Sequence, residues 1–206
     1  QATSELVRTT DPDIITGYNI DNFDMGRIVD RANLVSKRDK SKKIATMGWG
    51  RVSTSEDGRR RDTLFPTRGV SRAWNVGGRC VMDAWWQARQ ALRPQRETLK
   101  FVSNLLFPDD EGMQKMDVDA SKMDEEWANR PDVVIEYCLR DAELPLDIMH
   151  AIQAFRRKEA VAAVAKVPLD TSANGTTSQL IDSLVIRMAD RTAIGVPLTG
   201  SADKKE

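Results

Sequence analysis

An α/β fold is what this sequence predicts, with short strands feeding directly into helices, and three observations predict it. Residues 13–18 form a β-rich run after a Pro-containing turn, and apolar residues at helical spacing follow it. Residues 80–86 repeat the arrangement, a core run passing into a short helix. The remainder reads as helices bounded by capping residues and prolines.

Taken in order, the chain opens on a helix end and then Asp11-Pro12, a turn leading into Asp13-Ile14-Ile15-Thr16-Gly17-Tyr18, predicted as a buried strand. Residues 19–22 are polar. Phe23, Met25, Ile28, Val29 and Ala32 then recur at helical spacing, with Asp21 or Asn22 placed to cap the first turn. Residues 33–78 fit neither period for long and read as an excursion from the core. Within it, turn residues at both ends and the middle of residues 58–78 suit a β-hairpin.

Order returns with the strand and helix of residues 80–90. Residues 98–107 follow as an amphipathic helix ended by Pro108. An acidic surface loop with a short helix around Trp127 fills residues 109–129. Pro131 suits the first position of the next helix, where its missing N–H costs nothing. Pro145 is expected to kink or interrupt that helix, with a second one over residues 146–167. Thr176 or Thr177 caps a last helix that Gly195 and Pro197 stop.

Composition narrows the function classes. No run approaches the roughly 18–20 apolar residues a membrane span needs, and the first residues lack a signal peptide's pattern. Cys80 and Cys138 are far apart, which suits a reducing compartment, and a single histidine argues against a zinc or histidine-based site. Net charge is zero, yet it is unevenly spread. Residues 27–79 hold 14 Lys or Arg against 5 Asp or Glu, and residues 109–147 hold 13 acidic against 4 basic. A solvated charge run explains either block; a nuclease that grips phosphates with one and cations with the other also fits.

Two carboxylate arrangements bear on chemistry. Asn19-Ile20-Asp21-Asn22-Phe23-Asp24 sits where a strand meets a helix, and Asp24 falls in the first helical turn. Tyr137-Cys138-Leu139-Arg140-Asp141 puts a phenol and a carboxylate one turn apart on a helix. Each alone is better read as a cap or a chance pair. Hydrolysing a phosphodiester needs an activated water and charge neutralisation, which carboxylate-held magnesium supplies without histidine.

Together, and in this order, the two stretches resemble the second and third exonuclease motifs of family B DNA polymerases, eukaryotic delta-like or archaeal replicative in flavour. Tyr18 through Asp24 is similar to the second and Tyr137 through Ala142 to the third. Asp11-Pro12-Asp13, Gly78-Arg79 followed by Asp83, Thr98-Leu99, Leu144-Pro145-Leu146 and Val167-Pro168-Leu169 extend the likeness over nearly the whole chain.

The resemblance implies an RNase H-like 3′ to 5′ proofreading exonuclease domain over residues 1–150, with an incomplete mixed sheet flanked by helices. Residues 151–206 would be a helical linker toward the polymerase palm. It also implies Asp24 and Asp141 as ligands of a two-metal site for Mg2+ or Mn2+, Tyr137 as the positioner of the attacking water, and Asn19 and Phe23 as the shapers of the terminal-nucleotide pocket. The basic hairpin of residues 58–78 would bring Arg59, Arg60 and Arg61 to DNA, or else they solvate a loop.

The expected partners are the single-stranded 3′ end of primer-template DNA and the rest of the polymerase chain, inside the cell. The family's first motif would precede Gln1 and the palm aspartates would follow Glu206. The expectation is therefore little or no nuclease activity from these residues alone. An exposed sheet edge is also expected, one that a second copy would cover. The competing reading is a non-catalytic DNA-binding or scaffolding module on an inactivated exonuclease fold.

Overall fold

The computed structural model describes residues 2–38, 49–51, 66–68, 73–109 and 122–196. Residues 1–156 form one compact unit and residues 157–206 a second.

In the first unit, helix α1 (Ala2–Thr10) leads to strand β1 (Ile14–Gly17) and helix α2 (Asp24–Arg38). Strands β2 (Thr67–Arg68) and β3 (Trp74–Asn75) form a small antiparallel ribbon. Strand β4 (Cys80–Asp83) follows and pairs in parallel with β1, Ile14 opposite Cys80 and Gly17 opposite Asp83. Among the described residues, these two pairs are separate sheets and do not join into one mixed sheet. Arg59, Arg60 and Arg61, and most of the hairpin expected over residues 58–78, lie outside the described residues.

Helix α3 (Ala84–Leu92) springs from β4 without a loop, because Asp83 ends the strand in extended conformation and caps the helix through the Trp85 N–H. Thr98 does the same for α4 (Leu99–Leu106) through the Phe101 N–H. After α5 (Met123–Asn129) comes α6 (Pro131–Ala151), with Pro131 at its start, and then α7 (Ala154–Ala165). α6 packs on α3, α4, α5 and β1.

The expected interruption at Pro145 does not occur. α6 runs through that proline to Ala151, and the break comes at Ile152 and Gln153, the latter with φ 50°. Pro145 and its neighbour Leu144 are fully buried, and Ile148 one turn on is buried with them. Each large apolar side chain buried here contributes about 1.5–3 kcal/mol. That gain offsets much of the roughly 3 kcal/mol that an internal helical proline costs.

Two apolar clusters organise the unit. One joins Ile20, Met25, Ala32, Trp49, Trp74, Val76 and Val81. The other joins Ala88, Leu99, Val102, Leu144, Ile148, Ile152 and Ala154. The second unit holds α8 (Leu169–Asn174) and α9 (Thr177–Arg191). Thr176 and Gln179 close a reciprocal capping box at the start of α9. Ser183 donates to the Ala165 carbonyl at 2.9 Å and Arg187 to that of Lys166 at 3.0 Å.

Candidate functional site

A cavity of about 830 Å3 opens at the carboxyl ends of β1 and β4. Open α/β sheets favour ligands at this end, where loops and helix starts converge. Its walls come from β1 and the loop after it, the start of α2, the segment before α4, and one face of α6. β1 is half-buried along its length, where a buried strand was expected, because Ile15, Thr16 and Gly17 form part of this wall.

The loop between β1 and α2 is held by Asp83. This carboxylate is 1 % exposed and accepts three backbone N–H groups, from Asn19 at 2.8 Å, Asp21 at 3.2 Å and Trp85 at 2.9 Å. Asn19 adopts φ 63°, a conformation that asparagine tolerates better than most residues, and its side-chain oxygen accepts from Asn22 at 2.8 Å. Asp21 is buried as well and accepts the Trp74 N–H at 3.2 Å, while its carbonyl accepts the Trp74 indole at 2.8 Å. Gly17 leaves room for the turn, since a Cβ there would lie 2.3 Å from the Ile20 side chain. Tyr18 donates to the Glu97 carbonyl at 2.7 Å, tying the strand end to the segment before α4.

On this frame Asn19, Phe23 and Asp24 line the cavity from one side and Cys138, Asp141 and Ala142 from the other. Phe23 is an exposed aromatic at 58 %, with the Arg27 guanidinium 5.6 Å from its ring centre. Asp24 keeps contact with solvent, yet surrounding protein atoms push its carboxyl above the ordinary range. Burial pushes Asp83 up too, against the pull of its three N–H donors, with the Asp24 charge adding to the rise. Asp141 is half-buried.

Tyr137 is half-buried and is not among the residues lining the cavity. Cys138, Asp141 and Ala142 make the stripe that is, and Tyr137 sits roughly a quarter turn from its centre. Sequence reasoning included Asp83 in a resemblance without giving it a role. The signal was there, an Asp ending an apolar strand directly before a helix, which is an N-cap position.

The donor set suits a hard divalent cation. Among the described residues, no Lys or Arg lines the cavity with Asp24 and Asp141, and carboxylate oxygens are what magnesium and manganese take. Among the described residues, no three His, Cys, Asp or Glu side chains are grouped closely enough to hold an ion. Magnesium tolerates this, since it is often held by one or two carboxylates plus water and substrate phosphate. No helix among the described residues is long and apolar enough to cross a membrane.

Residues 1–102 match the family described as DNA polymerase family B, exonuclease domain. The chain is 28% identical over 207 residues to the DNA polymerase delta catalytic subunit of Caenorhabditis elegans, covering 95% of this chain and 18% of that protein. It is 31% identical over 208 residues to the corresponding subunit of Mesocricetus auratus, covering 96% of this chain and again 18% of that protein. The chain thus spans under a fifth of the length of these relatives. In three dimensions it is similar to the family B DNA polymerase of the archaeon Pyrobaculum calidifontis, with a TM-score of 0.69 and 20% identity over 99% of this chain and 24% of that one. This likeness bears on the fold, the exonuclease-domain architecture of mixed helices and strands.

Proposed function

This chain belongs to DNA polymerase family B, whose exonuclease domain its residues 1–102 match, and we propose that its cavity is part of a metal-dependent 3′ to 5′ proofreading site. The observation that carries this reading is the cavity wall itself. Asp24 opens α2 and Asp141 lies on α6, 117 positions later, yet both line one cavity, and among the described residues no basic side chain lines it with them.

In this reading Asp24 and Asp141 hold Mg2+ or Mn2+. The bound ion would supply an activated water and neutralise the leaving oxygen of the phosphodiester. Phe23 offers an exposed aromatic face on which the terminal base of a DNA strand stacks. Asn19, fixed by Asp83 and Asn22, shapes the pocket floor. Tyr137, one turn before Asp141, positions the attacking water from the margin of the α6 stripe. Among the described residues these two aspartates have no third close ligand, which makes a weak ion site, so the chain alone is expected to digest DNA poorly. DNA, the remaining polymerase segments and a second copy along the open edge of the β1–β4 pair are the partners of this reading, and residues 151–206 its link toward a palm.

That sparse ligand set among the described residues suits the alternative, a nucleic-acid-holding module without catalysis. Mn2+ titration followed by electron paramagnetic resonance separates the two. Binding that weakens on Asp24→Asn and again on Asp141→Asn supports the proofreading site. Binding indifferent to both sinks it.

A further inference from the structure

Beside the carboxylate cavity lies a smaller hollow of about 390 Å3, lined by Trp86, Arg89, Gln90, Arg93, Pro94 and Glu97. Its size is at the low end for small-ligand sites. Glu97 lines both spaces, so the two adjoin. Trp85 faces the larger and Trp86 the smaller, their ring centres 6.2 Å apart. The Arg89 guanidinium lies 5.5 Å from the Trp85 ring centre and 5.9 Å from that of Trp86. Its Nε pairs with Glu97 at 3.1 Å, which offsets the one negative charge at the boundary. Arg93 and Arg96 are exposed and make no ion pair among the described residues.

We propose that this hollow is a second, non-catalytic subsite for single-stranded DNA, holding a nucleotide behind the strand end that occupies the carboxylate cavity. The identity of the ligand rests on the proofreading reading; the site itself rests on charge and shape. An indole face beside the unpaired guanidinium of Arg93 combines the two features that hold a single strand without regard to sequence, stacking and phosphate neutralisation. Recognition by Trp86 and Arg93 is of π-face and backbone. Arg93 closes α3 with φ 48°, which presents its side chain where the helix has ended.

The test uses the chain as it stands and 5′-labelled oligothymidylates of three and eight nucleotides, read by fluorescence anisotropy in EDTA. The longer strand should bind at least about 10-fold more tightly. Trp86→Ala and Arg93→Gly should each remove about 5- to 10-fold of that affinity while leaving the three-nucleotide strand unchanged. Arg93→Gly suits a left-handed helix end, so it removes charge without straining the fold. It should also lower the slope of log affinity against log salt by about one. Equal binding of both lengths, no binding of either, or indifference to both variants overturns the subsite. Asp24→Asn separates this from the proofreading reading. If that variant leaves Mn2+ binding unchanged while Trp86→Ala still weakens the longer strand, catalysis fails and the subsite stands.

Discussion

The two ends of the β1–β4 pair hold their aspartates in different ways. At the amino ends, Asp11 meets Arg51 at 2.9 Å and Arg79 at 2.8 Å, and Asp13 meets Arg51 at 2.6 Å. Arg79, its side chain 3 % exposed, also donates to the carbonyls of Trp49 and Pro12. Every acid there has a base. At the carboxyl ends, Asp83 is held by backbone N–H groups, and among the described residues no Lys or Arg lines the cavity that Asp24 and Asp141 share. Ion pairs lock one end, whereas backbone N–H groups hold the acid at the other.

The strongest way to break this contrast is Arg79→Ala. Leaving the Trp49 and Pro12 carbonyls without their donor should cost about 1–3 kcal/mol for each in urea unfolding while sparing Mn2+ binding, and loss of Mn2+ binding at equal foldedness would show that the ends are coupled. Next, Asp24→Asn or Asp141→Asn should weaken Mn2+ binding at least about 10-fold in titration and leave the unfolding midpoint unchanged or higher. Smaller still is Asp83→Asn. One of its oxygens becomes an amide facing an N–H donor, which should cost about 1–3 kcal/mol and make the Asn19 and Asp21 amides exchange faster with deuterium.

The subtlest difference is in pH dependence. Arg51 and Arg79 hold the Asp11 carboxyl below its ordinary 3.8, so its contribution is present above that value and fades as pH falls below it. Asp83 is raised by burial, so the folded state keeps its proton longer than the unfolded chain. Stability therefore declines as pH climbs from 3.8 through the raised value. Urea midpoints across acid pH should thus lose their low-pH fall in Asp11→Asn and their higher-pH decline in Asp83→Asn.

What the sequence revealed was mostly local. Thr176 with Gln179, Thr98 before α4 and Pro131 opening α6 are short-range chemistry, and each element begins where that chemistry says. Pro145 misled because its neighbours' burial, a long-range fact, outweighs a local penalty. Asp24 and Asp141 stood out through two motifs, but Asp83 gained its meaning only when β4 lay beside β1 and brought its carboxylate under the next loop. Tyr137 shares a face with Asp141 by spacing, whereas helix rotation turns Cys138 and Ala142 to the cavity.

Of the two cysteines, Cys80 is buried and Cys138 is exposed on the cavity wall three residues before Asp141. A maleimide should therefore modify one sulfur and spare the other. The attached group would stand in the cavity beside Asp141, so the same covalent tag both blocks access and, if fluorescent or paramagnetic, reports when something else arrives.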